Sequence, residues 1–415
     1  MTFRLRNRST LIAIISCRYV LLLAALAAGL TAARAGVLDD KLKSVDAFME
    51  VNPIKFDKRG LNANLRDLPI GEWIKIHEQK PSDRVTFKRQ SHAGSAFDTK
   101  RGRIIIFGSD THGKNWANSP LFFDVAKLEW SRLYPDDDPD TYRVNPEGIP
   151  VAGLRDNHPW AMHTFGSVEY DPVRDALVVS SYPRHMEPGR FTDALATVWS
   201  KVRRHPTWEL SLATTEWKPL PWEAEHFFPY ATAYDSHRGV IIGYKSRGVF
   251  ELDLSARAWR QIEPKGLLSY HNNAVYDSRH KALIVFGSNN GSNDIVVYEP
   301  ATKRHVKMPT LGKRPPRDEH NPMAFHPVLG QTIVLVDRAR QRESSRDLST
   351  IRTETWLYDL VKDAWNLVRS ATLQFGLGMN YNMEYDPGHN VLLLVTSAQK
   401  GLTAVWALRL IAEGR

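Results

Sequence analysis

One unit recurs six times along this 415-residue chain, and nothing else in the sequence restricts the fold so much. It opens with a short strand ending in aromatic-Asp, turns through polar residues with Gly or His, and returns as an apolar β-branched strand. The openings are SAFDTKRGRIIIFG (95–108), SVEYDPVRDALVVS (167–180), ATAYDSHRGVIIG (231–243), NAVYDSRHKALIVFG (273–287), MAFHPVLGQTIVLV (323–336) and MEYDPGHNVLLLV (383–395). Two further strands follow each of the first five openings, as in LFFDVAKLEWSRL (121–133) and TWLYDLVKDAWNLV (355–368). Six in-phase units of about four strands predict an all-β, kelch-like β-propeller over residues 68–415, not a sandwich of unrelated strands. Two insertions, 136–161 and 182–206, break the period, so the count is six readable blades, or seven if one of them holds a degenerate blade. The last unit stops after its third strand. Glu72-Trp73-Ile74-Lys75-Ile76 matches the missing fourth, so the termini are expected to share a blade and close the ring, which leaves no free sheet edge.

The N-terminus stands apart. Arg4, Arg6 and Arg8 precede an 11-residue apolar run (20–30), too short to span a bilayer, and Ala33-Arg34-Ala35 then offers a cleavage site. Residues 1–35 therefore read as a secretory signal peptide, and 36–67 as a polar N-terminal arm. The leader holds five arginines and no acid, so its loss lowers the net charge from +9 to +4. So mild a basic bias suits an anionic polymer and makes no case for nucleic acid. The lone Cys17 leaves with the leader, which excludes disulfides, thiolate ligands and a cysteine nucleophile from the mature chain. The expectation is a secreted or periplasmic monomer, with no membrane partner after cleavage.

In such a fold the start of each first strand and the end of each second strand lie on one rim. The strand starts carry His92, His163, Tyr230, His271, Asn272, Asn273, His320, Asn321, Asn380, Tyr381 and Asn382. The loops after second strands carry His112, Arg184, His185, Lys245, Arg247, Asn289, Asn290, Arg338, Arg340 and Lys400. Acids are nearly absent from this set, and a glycosidase needs two carboxylates across the scissile bond. Histidine, tyrosine and arginine suit β-elimination at a uronic acid. A cation neutralises the C6 carboxylate, one side chain removes the C5 proton and another protonates the departing O4.

The succession His163, His185, Tyr230, Arg247, with the last two bracketing one hairpin, resembles the ulvan lyases of polysaccharide lyase families 24 and 25. The resemblance spans about 68–415 and implies an exported β-propeller enzyme cleaving a 4-linked uronate polymer, of ulvan or glucuronan type. It implies His163 and Tyr230 as the acid–base pair, Arg247 as carboxylate neutraliser and His185 as a binding or neutralising partner. His92, His271, Asn272, Asn273, His320, Asn321, Asn380 and Tyr381 would then line the substrate path, with no cofactor and no metal ligand assigned. The chain departs from the family in its six blades, where the family has seven, and in lacking the cysteine of the family's structural metal site.

Other readings use the same face. A non-catalytic kelch-like propeller would bind a glycan or protein through it. A copper oxidase of this fold needs a Cys–Tyr cross-link, which the mature chain, without Cys17, cannot make. SDTHGKNW (109–116) is a broken sialidase-type Asp-box with Thr111 at its key acid, and DDDPD (136–140) reads as a solvated turn, without the spacing of a calcium loop. Neither His158 with His163 nor His320 with His326 forms a recognised metal-ligand pattern.

Overall fold

A computed structural model describes residues 60–80, 89–113, 115–155, 157–183, 198–220, 225–253, 256, 258–289, 293–317, 319, 321–338, 348–397 and 402–411. The expected leader, most of the arm, His185 and His320 lie outside the described residues. So do Arg184, Asn290, Arg340 and Lys400.

The strands follow the repeat. After β1 (Trp73–Glu78) come β2 (Gly94–Asp98), β3 (Arg103–Phe107), β4 (Leu121–Asp124) and β5 (Glu129–Arg132). The first insertion holds β6 (Arg143–Val144), β7 (Pro150–Ala152) and β8 (His158–Pro159). Next are β9 (Val168–Asp171), β10 (Ala176–Val179), β11 (Trp208–Ser211) and β12 (Trp217–Pro219), then β13 (Ala231–Asp235), β14 (Val240–Lys245), β15 (Gly248–Asp253) and β16 (Ala258–Glu263). The last three units give β17 (Asn273–Asp277), β18 (Ala282–Phe286), β19 (Ile295–Glu299) and β20 (Arg304–Lys307); β21 (Met323–His326), β22 (Gln331–Arg338), β23 (Arg352–Asp359) and β24 (Ala364–Leu373); and β25 (Met383–Asp386), β26 (Val391–Ser397) and β27 (Thr403–Leu408). Among the described residues these make six four-stranded antiparallel sheets and one three-stranded sheet, β6-β7-β8. The arrangement is propeller-like. The sheet of β25, β26 and β27 takes β1 as its fourth strand, with Trp73 opposite Leu408, as the sequence anticipates.

The repeated aromatic-Asp pair has a local cause. Asp98, Asp171, Asp235, Asp277 and Asp386 are all buried at the end of a first strand. Each accepts amide hydrogens from the turn that follows, as Asp235 does from His237 (2.9 Å) and Arg238 (3.2 Å). The second oxygen takes a basic side chain three residues on, Arg174 at 2.8 Å or Arg238 at 2.6 Å. The aspartate thus fixes the tight turn and supplies its buried N–H groups with an acceptor. In the fifth unit His326 does the work, its Nδ1 accepting from Leu329 N at 3.3 Å.

Neighbouring sheets pack face to face through the apolar second and third strands. Ile104, Ile106 and Phe123 meet Leu393, Val395 and Val405, while Ile333, Leu335 and Leu357 meet Leu392 and Leu394 on their other face. Ile284 and Phe286 pack on Val334 and Trp356, Tyr244 and Val249 on Leu283 and Val285, Val178 on Ile241, and Phe107 on Trp217. First strands are also neighbours of first strands: β2 of β9, β9 of β13, β13 of β17, β17 of β21, β21 of β25 and β25 of β2. Their approach is close. A Cβ on Gly94 would fall 2.0 Å from the Phe165 carbonyl oxygen.

The DDDPD segment is not the solvated turn that its composition predicts. Asp136 receives buried Arg89 (3.3 Å) and Ser119 Oγ (2.7 Å), and Asp137 lies 2.7 Å from His158 Nδ1. Two of its acids thus anchor the first insertion, whose Tyr142, Ala152 and Trp160 form a small core of their own.

Candidate functional site

First strands from all six sheets surround a cavity of about 340 Å³. At one end of it stands Phe165, buried and in left-handed backbone (φ 44°). Its ring centroid lies 5.6 Å from His92, 5.5 Å from His163, 5.1 Å from Phe228, 6.1 Å from His271 and 4.8 Å from Tyr381. One aromatic therefore gathers three of the residues that the sequence assigns to the substrate path, together with His163 of the expected acid–base pair.

Three histidines stack on one side of Phe165. The ring of His163 lies 4.4 Å from His92 and 4.7 Å from His112. Asp110 belongs to the same group, with its Oδ1 3.5 Å from His92 Nδ1 and 3.7 Å from His163 Nε2. His163 Nε2 also accepts the Thr111 amide hydrogen at 3.1 Å, and Ser91 Oγ lies 2.8 Å from His92 Nδ1. The His163 side chain is only 2% exposed and that of His92 13%, whereas His112 is open to solvent.

Phe228 connects this group to the next hairpin, its ring 5.8 Å from His163. Two residues later Tyr230 precedes β13, and its hydroxyl donates to Ser246 Oγ at 2.8 Å. Ser246 and Arg247 form the exposed two-residue turn between β14 and β15, so Tyr230 and Arg247 share one end of one hairpin. Pro229 accepts the His271 amide hydrogen at 2.9 Å, which sets Tyr230 between His163 and His271 along the rim.

On the far side of Phe228, Tyr182 packs against His226 (4.5 Å) and His205 (5.1 Å). Burial pushes His226 down to about 3, with His205 and Lys245 adding to the shift, and pushes His205 down to about 4, so both are neutral near neutral pH. Lys245 pairs with Glu225, and its ammonium lies 4.7 Å from the Phe250 ring.

The rim holds more acid than its sequence implies, which corrects the expectation that carboxylates are nearly missing there. Asp110 stands among the histidines, Glu319 lies 2.8 Å from His271 Nδ1, and Glu225 holds Lys245. Each is spoken for by a base from a different loop, so no spacing in the sequence announces the pairing. The asparagines take a different place from the histidines. Asn272, Asn273, Asn321 and Asn380 are buried, and their side-chain nitrogens donate to backbone carbonyls. Asn273 donates to Asn321 O at 2.7 Å, Asn321 to Leu335 O at 3.0 Å, and Asn272 and Asn380 to Ser269 O and Leu377 O. The amides of Asn273 and Asn321 tie separate segments together, and those of Asn272 and Asn380 close the local turns before their strands.

Two carboxyls line the cavity itself. Glu169 Oε1 accepts from Thr232 Oγ1 (2.9 Å) and its Oε2 from Tyr234 N (3.1 Å), while Glu384 Oε1 accepts from Ser95 Oγ (2.7 Å). Desolvation pushes Glu169 up to about 8, helped by the charge of Glu384, and pushes Glu384 up to about 7. Both precede the aromatic-Asp pair, as Glu-Tyr-Asp in VEYD and MEYD, a shared position that marks them in the sequence.

No protein-family model matches the chain. No curated protein matches it significantly.

Proposed function

We propose that the protein is an exported polysaccharide lyase on a closed, six-bladed, kelch-like propeller, similar to the ulvan lyases of polysaccharide lyase families 24 and 25. The round of neighbouring first strands, from β2 through to β25 and back to β2, supports the ring and the count of six. The substrate is a polymer containing uronic acid, of ulvan or glucuronan type.

One observation carries the reading: Phe228, two residues ahead of Tyr230, packs its ring on His163. It links the two side chains offered as the acid–base pair, and Arg247 stands across the Tyr230 hairpin as a cation open to solvent. In the reaction Arg247 pairs with the C6 carboxylate and so acidifies the C5–H bond. His163 and Tyr230 divide the proton transfers. One takes the C5 proton, the C–H electrons form the C4–C5 double bond, the C4–O4 bond breaks, and the other protonates O4. Positioned acids and bases of this kind contribute about 10²–10⁴-fold each.

A binding module that uses the same face is the second reading. It is favoured by the depth of His163, 2% exposed and already accepting the Thr111 amide hydrogen. Incubation of the purified protein with ulvan, glucuronan and a neutral glucan separates the two. The lyase gives rising ultraviolet absorbance from the new double bond with the uronate polymers alone. Retention on an affinity gel with no new absorbance from either polymer would leave the binding module.

A further inference from the structure

His92, Asp110 and His163 come from three separate loops of two sheets, yet one donor atom of each lies within 4.8 Å of the other two. His92 precedes β2, Asp110 follows β3 and His163 precedes β9. Strand pairing needs none of this convergence. The loops are pinned to one another by backbone hydrogen bonds: Thr164 N to His92 O at 3.0 Å, Ser109 N to Met162 O at 3.0 Å, and His92 N to Met379 O at 3.0 Å. His92 is held in left-handed backbone (φ 62°), a conformation that a non-glycine residue keeps only where its surroundings fix it.

His163 Nε2 accepts the Thr111 amide hydrogen and so carries no proton, and His92 Nδ1 lies 2.8 Å from Ser91 Oγ; an ion would take over the lone pairs that these two contacts now use. The carboxylate oxygen is 3.7 Å from that nitrogen and 3.5 Å from His92 Nδ1. Donors bonded at about 2.0–2.2 Å to a tetrahedral ion stand about 3.4 Å apart, so a contraction of a few tenths of an ångström closes these two edges. We propose that His92 Nδ1, Asp110 Oδ1 and His163 Nε2 bind a divalent transition-metal ion. Two imidazoles and one carboxylate form a donor set for zinc and its neighbours, and a poor one for calcium or magnesium, which take oxygen ligands. The exposed His112, its ring 4.7 Å from that of His163, stands beside the three donors. On the lyase reading the ion competes with the transferred proton for His163 Nε2, so the catalytic form is the metal-free one. The binding itself does not rest on that reading.

The test uses the purified chain without a polyhistidine tag, stripped with a chelator, dialysed, and titrated with zinc chloride by calorimetry. A parallel titration with cobalt chloride follows the visible ligand-field bands. One saturable zinc site is expected, with intense cobalt bands of a four-coordinate centre. His92→Asn keeps a side chain that tolerates left-handed backbone, and Asp110→Asn keeps the shape of the carboxylate. Each should weaken binding by about 100-fold or more while the circular dichroism spectrum stays native. His237→Gln, in a turn between β13 and β14, should leave the affinity unchanged. Wild type with no saturable site, or His92→Asn and Asp110→Asn proteins that bind zinc as wild type does, would overturn the proposal. No substrate enters these titrations, so their failure and failure of the lyase reading are separate results.

Discussion

At the scale of residues, the same side-chain types do two kinds of work, and burial separates them. Aspartates at the strand ends spend their oxygens on turn amides and on a neighbouring base, as Asp171 does with Val173 N (2.9 Å) and Arg174 Nε (2.8 Å). Among the described residues that line the cavity with Glu169 and Glu384 there is no lysine or arginine, and desolvation raises both carboxyls. The sign follows. Between the ordinary glutamate value of 4.5 and about 8 the folded protein keeps protons that the unfolded chain has released. Their contribution to stability is complete below that window and is lost as pH rises through about 7 and then about 8. Urea midpoints measured across the window should fall with pH in wild type and fall less in Glu169→Gln. An equal fall in both proteins would remove Glu169 as the cause. The histidines of the site were legible as types at strand starts. Their acids were not, because Asp110 and Glu319 reach His92, His163 and His271 across loops, where sequence spacing carries no information.

At the scale of elements, the pattern of alternating apolar residues and aromatic-Asp turns located the first and second strands. Even the displaced fourth strand was readable, because Glu72-Trp73-Ile74 copies the EW of other units. The β6-β7-β8 sheet was not, since strands of two or three residues are too short to show a period. β1 does more than fill an edge. The Trp73 indole is buried and donates to Thr355 Oγ1 of the neighbouring sheet at 3.0 Å. Trp73→Ala should cost about 3–5 kcal/mol in denaturant unfolding. Trp73→Phe, which loses chiefly the hydrogen bond, should cost about 1 kcal/mol. A Trp73→Ala loss below about 1 kcal/mol would mean that β1 is dispensable to the sheet it completes.

At the scale of the molecule, six sheets packed each against the next bring loops that are distant in sequence to one rim. Phe165 stands where that rim meets the central cavity. The repeat alone predicted this convergence, but it could not tell which rim residues face a ligand. Asn273 and Asn321 proved to be ties between strands, while Tyr230 stayed at the surface beside the Arg247 turn. The account therefore turns on one hydroxyl. Tyr230→Phe removes that hydroxyl alone, and with it a hydrogen bond to Ser246 at the surface, so the hairpin should keep its packing. The direct measurement is the rate of double-bond formation from a uronate polymer, wild type against Tyr230→Phe, at saturating substrate. The account predicts a loss in kcat of about 10²-fold or more with little change in KM. A folded Tyr230→Phe protein that turns over at the wild-type rate would contradict it.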